Sequence, residues 1–325
     1  MANRTITLND GTEMPVLGFG TCQFGGPETM IKPLQVAFES GYRHFDTAYT
    51  YKNEKVLGKA ISGWIEKKLV ERKDLFITTK LPMYGVHPER VEKFFNSSLD
   101  RLGLDYVDLY LIHFPVCGKY NEKEDTYLIE NSVFLTEETN YIEVWKILEK
   151  MVDAGKIKNI GLSNFNISQI TKILNEARIK PANLQIEVHP YLQNNELIEF
   201  CKENGISVVA YAPLASPELR TILKLTGLPF RNYPSVMGDD TIITLSKKYS
   251  KSPAQIILRF TIQRGLAAIP KSLNACHIKE NIDIFDFQLD EDDMSLLASL
   301  DKGNEGRVCR VDFKGILEHP EYPFK

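Results

Sequence analysis

A carboxylate, an ammonium and an imidazole, those of Asp46, Lys80 and His113, each stand at the carboxyl end of a short apolar run, with loop-like residues following. Tyr51 follows Asp46 by five positions. These four residue types are the raw material of an acid–base site. A tyrosine starts near pKa ~10 and is a poor acid at neutral pH. A nearby ammonium favours the phenolate and is expected to lower that value, while a paired carboxylate keeps the buried lysine charged. The product is a proton donor for a developing alkoxide, and an imidazole beside it can hold the same oxygen. Taken singly, a buried Asp–Lys pair or a strand histidine is more simply structural. Four such groups at successive strand ends reverse that balance.

Other signals are weaker. Gly18-Phe19-Gly20-Thr21-Cys22-Gln23 begins like a dinucleotide fingerprint but lacks its third glycine. Gly161-Leu162-Ser163-Asn164-Phe165 lacks the second glycine of a nucleophile elbow. Glu187 and His189 share a strand face and read as structural, as do His44, His87 and His319. Ile269-Pro270-Lys271-Ser272 follows the last strand-like run, where barrels commonly hold phosphate.

The elements that must position these groups alternate along the chain. Thr5–Leu8, Asn9-Asp10-Gly11 and Thr12–Val16 read as a β-hairpin with Asp-Gly at its turn. Strand-like runs follow at 16–20, 44–47, 76–80, 107–113, 160–163, 184–188, 208–211 and 267–269. Helical spacing appears at 28–40, 53–67, 88–102, 141–154, 168–177, 195–203 and, as one stretch, 240–264. Eight apolar strands alternating with helices over 325 residues predict a (β/α)₈ barrel, and no linker divides residues 1–325, so one domain is expected. The carboxyl ends of its strands would bring Asp46, Lys80 and His113 to one rim. Cys117–Asn140 and Ser216–Gly238, both after strands, and the tail beyond Leu300 exceed what connections need.

Composition excludes several classes. A net charge of −4 gives no general attraction to nucleic acid. No apolar run approaches the ~20 residues of a membrane span, and Met1 to Thr5 carries no signal-type apolar core. Five scattered cysteines form no CxxC pair, so neither a disulfide framework nor a metal site is expected. The expectation is a reduced, cytoplasmic protein.

The sequence closely resembles the aldo-keto reductase family, particularly its aldose and aldehyde reductase branch. The likeness rests on Gly41-Tyr42-Arg43-His44-Phe45-Asp46-Thr47-Ala48, Leu111-Ile112-His113-Phe114-Pro115, Gly161–Phe165, Gln185-Ile186-Glu187-Val188-His189-Pro190-Tyr191, Ile269–Ser272 and the tail His319–Phe324, in that order and spacing. The resemblance implies a barrel whose amino-terminal hairpin caps the bottom, with long loops at the opposite rim. It also implies NADPH-dependent reduction of small carbonyl compounds, aldehydes before ketones. On that pattern Tyr51 is the proton donor, Lys80 and Asp46 tune it, and His113 orients the substrate. Ser163, Asn164 and Gln185 would hold the nicotinamide carboxamide, and Tyr211 would stack on its ring. Gly20, Thr21, Cys22, Leu214 and Ser216 would line ribose and pyrophosphate. Lys271 and Ser272 would meet the 2′-phosphate, with His277, Glu280 and Asn281 toward the adenine.

Three departures from the family pattern bear on specificity. Cys22 stands where an aromatic is usual and Phe114 where tryptophan is frequent, so the substrate pocket around Cys22, Tyr51, His113 and Phe114 should be roomier or differently shaped. His277 replaces the usual arginine; it is mostly neutral at pH 7 and lacks a guanidinium fork. NADP(H) is therefore expected to be preferred through Lys271, with NADH tolerated. The alternatives are an aldose or pentose reductase acting on open-chain sugars, and a non-catalytic NADP-binding scaffold or redox-sensing subunit. A monomer is expected.

Overall fold

The computed structural model describes residues 4–22, 26–217 and 235–325. Most of the expected Ser216–Gly238 loop, and Gln23, therefore lie outside the described residues.

Eight short strands, Phe19–Gly20, His44–Asp46, Phe76–Leu81, Val107–Ile112, Ile157–Ser163, Asn183–Glu187, Ser207–Tyr211 and Ala267–Ala268, pair in chain order, all parallel. The first and last also meet. Leu17 bridges Ala268, the Gly18 N–H donates to the Ala268 carbonyl at 2.9 Å, and the Ala268 N–H donates to Val16 at 2.7 Å. The sheet thus closes on itself and helices surround it: a (β/α)₈ barrel. Closure explains the glycines of the first strand. A Cβ at Gly20 would lie 2.7 Å from the Ile269 carbonyl oxygen, and one at Gly18 2.7 Å from the His44 ring.

Parallel strands covered on both faces read as continuous apolar runs. Every residue of Phe76–Leu81 and Val107–Ile112 is buried, so Lys80 and Asp108 must find partners inside. The surrounding helices are amphipathic. Val91–Leu102 buries Val91, Phe94, Phe95, Ser98, Leu99 and Leu102, the spacing of one helical face, and ends at Gly103 with φ 63°.

The stretch expected as one helix over 240–264 is two, Asp240–Tyr249 and Pro253–Gln263. Ser250 turns left-handed at φ 53°, and Ser252 and Gln255 form a capping box with Pro253 in the first turn. Apolar periodicity runs across the break because Ile242, Leu245, Ile256, Ile257 and Phe260 all enter one packed cluster.

The amino-terminal hairpin pairs Thr5–Thr7 with Glu13–Pro15 and lies beside Gly265 and Leu266, which enter the last strand, so it covers the amino end of the barrel. At the other rim the expected long loop after Ile112 holds three small antiparallel pairs: Cys117–Gly118 with Thr136–Glu137, Tyr120–Asn121 with Thr126–Tyr127, and Ile129–Glu130 with Val133–Phe134. Among the described residues no helix is long and apolar enough to cross a membrane.

Candidate active site

Asp46 ends the second barrel strand, Lys80 lies near the end of the third, and His113 follows the fourth. The barrel brings them together. Lys80 Nζ donates to Asp46 Oδ1 at 2.5 Å and to the Thr47 carbonyl at 2.8 Å, with both side chains shielded from solvent. Gln185 Nε2 donates to the other Asp46 oxygen at 2.8 Å. The aspartate is thus held on both oxygens, and the ammonium is neutralised locally.

Tyr51 closes a single 3-10 turn, Tyr49–Tyr51, immediately after the second strand. Its ring centroid lies 5.2 Å from Lys80 Nζ and 5.7 Å from the His113 ring, which it meets edge-on at 77°. Burial sets the titration of both rings. His113 is lowered to about 3, first by burial and then by the Lys80 cation, so its imidazole is neutral at pH 7. Tyr51 is raised well above the usual tyrosine value by burial, reinforced by Cys22, Asp46 and Tyr211. That overturns the expectation of a lowered value. Desolvation, with the Asp46 carboxylate nearby, outweighs the attraction of the Lys80 ammonium 5.2 Å from the ring.

The expected nicotinamide contacts also cluster. Asn164, left-handed at φ 64°, donates from Nδ2 to the His113 carbonyl at 2.9 Å and to Ser163 Oγ at 3.1 Å. Its Oδ1 accepts the Tyr211 hydroxyl at 2.7 Å. Thr21, buried, donates from Oγ1 to the Asp46 carbonyl at 2.9 Å. Gly20 packs against Ile269 and beside Lys271. Cys22 reaches solvent at the rim, while its thiol, a hydrogen-bond partner of Tyr51, is crowded by surrounding protein so that desolvation pushes it up. Leu214 and Ser216 are half-buried, and Ser216 Oγ lies 3.6 Å from Cys309 Sγ.

On the far side of the first strand, buried Ser272 accepts from the Asn274 N–H at 3.1 Å, and Asn274 caps the helix Ala275–Ile282 through Cys276 N and His277 N. A lysine and a helix N-terminus here favour an anion. His277 and Glu280 are exposed on that helix, whereas Asn281 is buried. Phe114 is buried against the tail aromatics Phe324 and Tyr322, at 5.8 and 6.4 Å between rings.

Two features escaped the sequence. Glu187 does pair with His189 Nε2 at 3.0 Å, but its carboxylate also accepts the Val308 and Cys309 N–H groups at 2.8 and 2.9 Å, anchoring the tail at the rim. A buried carboxylate at a strand end was the available signal; its partners lie over 120 residues away and were not legible. The second is Asp125, in the loop after His113, whose carboxylate accepts from Tyr49 and Lys52 on either side of Tyr51. Among the described residues no His, Cys, Asp or Glu group is arranged to hold a metal.

The Aldo/keto reductase family model matches residues 16–302. Aldo-keto reductase family 1 member C4 of Homo sapiens is 40% identical over 98% of this chain and 97% of its own. The NAD(P)H-dependent D-xylose reductase I,II of Candida tropicalis is 42% identical over 92% and 93%. The structure of the aldose reductase from Schistosoma japonicum superposes with a TM-score of 0.87 at 36% identity, covering 99% of this chain and 98% of that one. With the barrel, the rim cluster and matches of this extent, the chain belongs to the aldo/keto reductase family.

Proposed function

We propose that this chain uses NADPH to reduce aldehydes, and some ketones, to alcohols, with Tyr51 donating the proton. The observation that carries the reading is the rim cluster itself: a buried Asp46–Lys80 pair, with Tyr51 5.2 Å from the ammonium and edge-on to a neutral His113. The residues fit a nicotinamide dinucleotide phosphate. Ser163, Asn164 and Gln185 offer amide and hydroxyl groups at one end, with Tyr211 joined to Asn164, and Lys271, Ser272 and a helix N-terminus suit phosphate at the other. Bound NADPH supplies the hydride.

The protein's part is the proton and the geometry. A phenol with a raised value is fully protonated at neutral pH, so Tyr51 holds the proton that a developing alkoxide needs. As that proton leaves, the phenolate is stabilised by Lys80, which Asp46 and the Thr47 carbonyl hold in place. Neutral His113 can still donate one hydrogen bond to the carbonyl oxygen and so align it. Cys22 contributes a small side chain beside Tyr51 and so leaves room for the substrate. The reading has residues 1–325 acting as one domain, a cytoplasmic monomer. An open-chain aldose presents the same aldehyde, and the name of the yeast relative favours including pentoses.

The test is Tyr51→Phe. Reduction should fall at least ~100-fold, the lower range of a general acid's contribution, while the Kd for NADPH changes less than about twofold. Retained turnover would remove Tyr51 from its role, and loss of NADPH binding would recast it as a structural residue.

A further inference from the structure

The loop that follows the His113 strand reaches back to the turn that carries Tyr51, through one residue. Asp125 sits between the paired segments Tyr120–Asn121 and Thr126–Tyr127, in the left-handed region at φ 49°. Its carboxylate accepts the Tyr49 hydroxyl at 2.9 Å, Lys52 Nζ at 2.9 Å, the Tyr120 hydroxyl at 3.1 Å and Arg101 Nη2 at 3.2 Å. Its carbonyl accepts Lys52 Nζ again at 3.0 Å. Tyr49 and Lys52 bracket Tyr51 on both sides.

The turn needs such a tether. Its own backbone supplies two bonds, Tyr51 N–H to Ala48 at 3.0 Å and Lys52 N–H to Tyr49 at 3.3 Å, and Lys52 is held left-handed at φ 56°. The base of the turn is pinned by Thr47 Oγ1 to Asn53 Oδ1 at 2.7 Å. At the apex, Arg101 donates to the Tyr49 hydroxyl at 2.9 Å and lies 4.0 Å from its ring, and Asp125 ties Tyr49, Lys52 and Arg101 together through one carboxylate. The loop is fixed in turn, because Tyr120 stacks on Tyr84 at 5.3 Å and Tyr84 meets Tyr49 edge-on at 6.3 Å.

We propose that Asp125 is a positioning residue for the reaction: it clamps the Tyr49–Lys52 turn and thereby holds the Tyr51 hydroxyl at the distance from His113 and Lys80 that proton transfer requires. The inference rests on the function proposed above for Tyr51. It assigns the rim loop a catalytic task beyond enclosing substrate. An ionised carboxylate accepts on both of its oxygens, whereas an amide of the same shape must turn its NH₂ toward a donor and lose part of the clamp.

The experiment compares wild type, Asp125→Asn and Tyr49→Phe by amide hydrogen exchange and by kinetics. In Asp125→Asn, amides of residues 48–53 should exchange at least ~10-fold faster, with those of Phe76–Leu81 and Val107–Ile112 unchanged. The kcat should fall about tenfold or more, KM for NADPH should stay within about twofold, and the solvent deuterium isotope effect on kcat should rise as proton transfer becomes limiting. Tyr49→Phe, which removes one clamp donor and keeps the ring, should move the same readouts part of the way. Unchanged exchange at 48–53 overturns the proposal. So does faster exchange spread over the whole barrel, which would mark a role in stability alone. Wild type without carbonyl reductase activity would refute the proposed function, and the exchange comparison would still decide whether Asp125 holds the turn.

Discussion

Asp46, Lys80, His113 and Tyr51 were all legible as residue types at strand ends, yet their electrostatics were not. A lysine beside a tyrosine suggests a lowered phenol, but the outcome depends on how completely Asp46 neutralises the cation and how dry the site is. Both are set by residues far apart in the chain: Gln185 holds the second Asp46 oxygen from 139 positions away. His113 carries a pH prediction. Its value falls from 6.5 to about 3 on folding, so between those limits the unfolded chain binds a proton that the folded chain refuses. Stability should therefore decline as pH drops from about 6.5 toward 3, by up to ~1.4 kcal/mol per unit from this one group. Burial lowers His44 as well, which acts in the same direction. Urea unfolding between pH 7 and 4.5 should give a flatter dependence for His113→Asn than for wild type; identical slopes would show that His113 takes up no proton on unfolding.

At the scale of elements, periodicity located the eight barrel strands and most helices, passed over the short helix Glu291–Ala298, and merged two helices where tertiary packing shared one pattern between them. The apolar spacing over 240–264 is continuous because both helices feed one cluster, and only the Ser250 conformation and the Ser252–Gln255 box divide them. Helix packing also carries constraints that periodicity does not record. Gly58, in the helix Glu54–Glu66, faces the end of Val91–Leu102, where a Cβ would lie 2.3 Å from the Leu102 carbonyl oxygen. Alanine gains up to ~1 kcal/mol of helix propensity there, but separating two packed helices costs typically ~1–3 kcal/mol. Gly58→Ala should therefore destabilise the fold by a net ~1–2 kcal/mol, seen as a lower urea midpoint, with KM for NADPH unchanged. A midpoint equal to or above wild type would mean that the helices separate freely.

For the whole molecule, the cofactor reading predicts coupling between binding and stability. A ligand held at a hundred times its Kd stabilises the fold by ~2.7 kcal/mol, so Tm should rise with NADPH concentration, and less with NADH at the same concentration. His277→Arg should widen that gap by strengthening the NADPH response alone, because His277 lies exposed on the first turn of the helix after Lys271 and Ser272. Equal Tm shifts with both cofactors in both proteins would sink the 2′-phosphate assignment. The sequence alone determined the strand–helix alternation, the barrel and the four chemical groups at its rim, since local pattern and residue type are written in consecutive positions. Tertiary structure decided what those groups are: that the phenol is raised and His113 neutral, that Glu187 anchors the tail, and that Asp125 reaches across to the Tyr51 turn. Burial and hydrogen bonding between segments remote in the chain depend on closure of the barrel, and no local spacing encodes them.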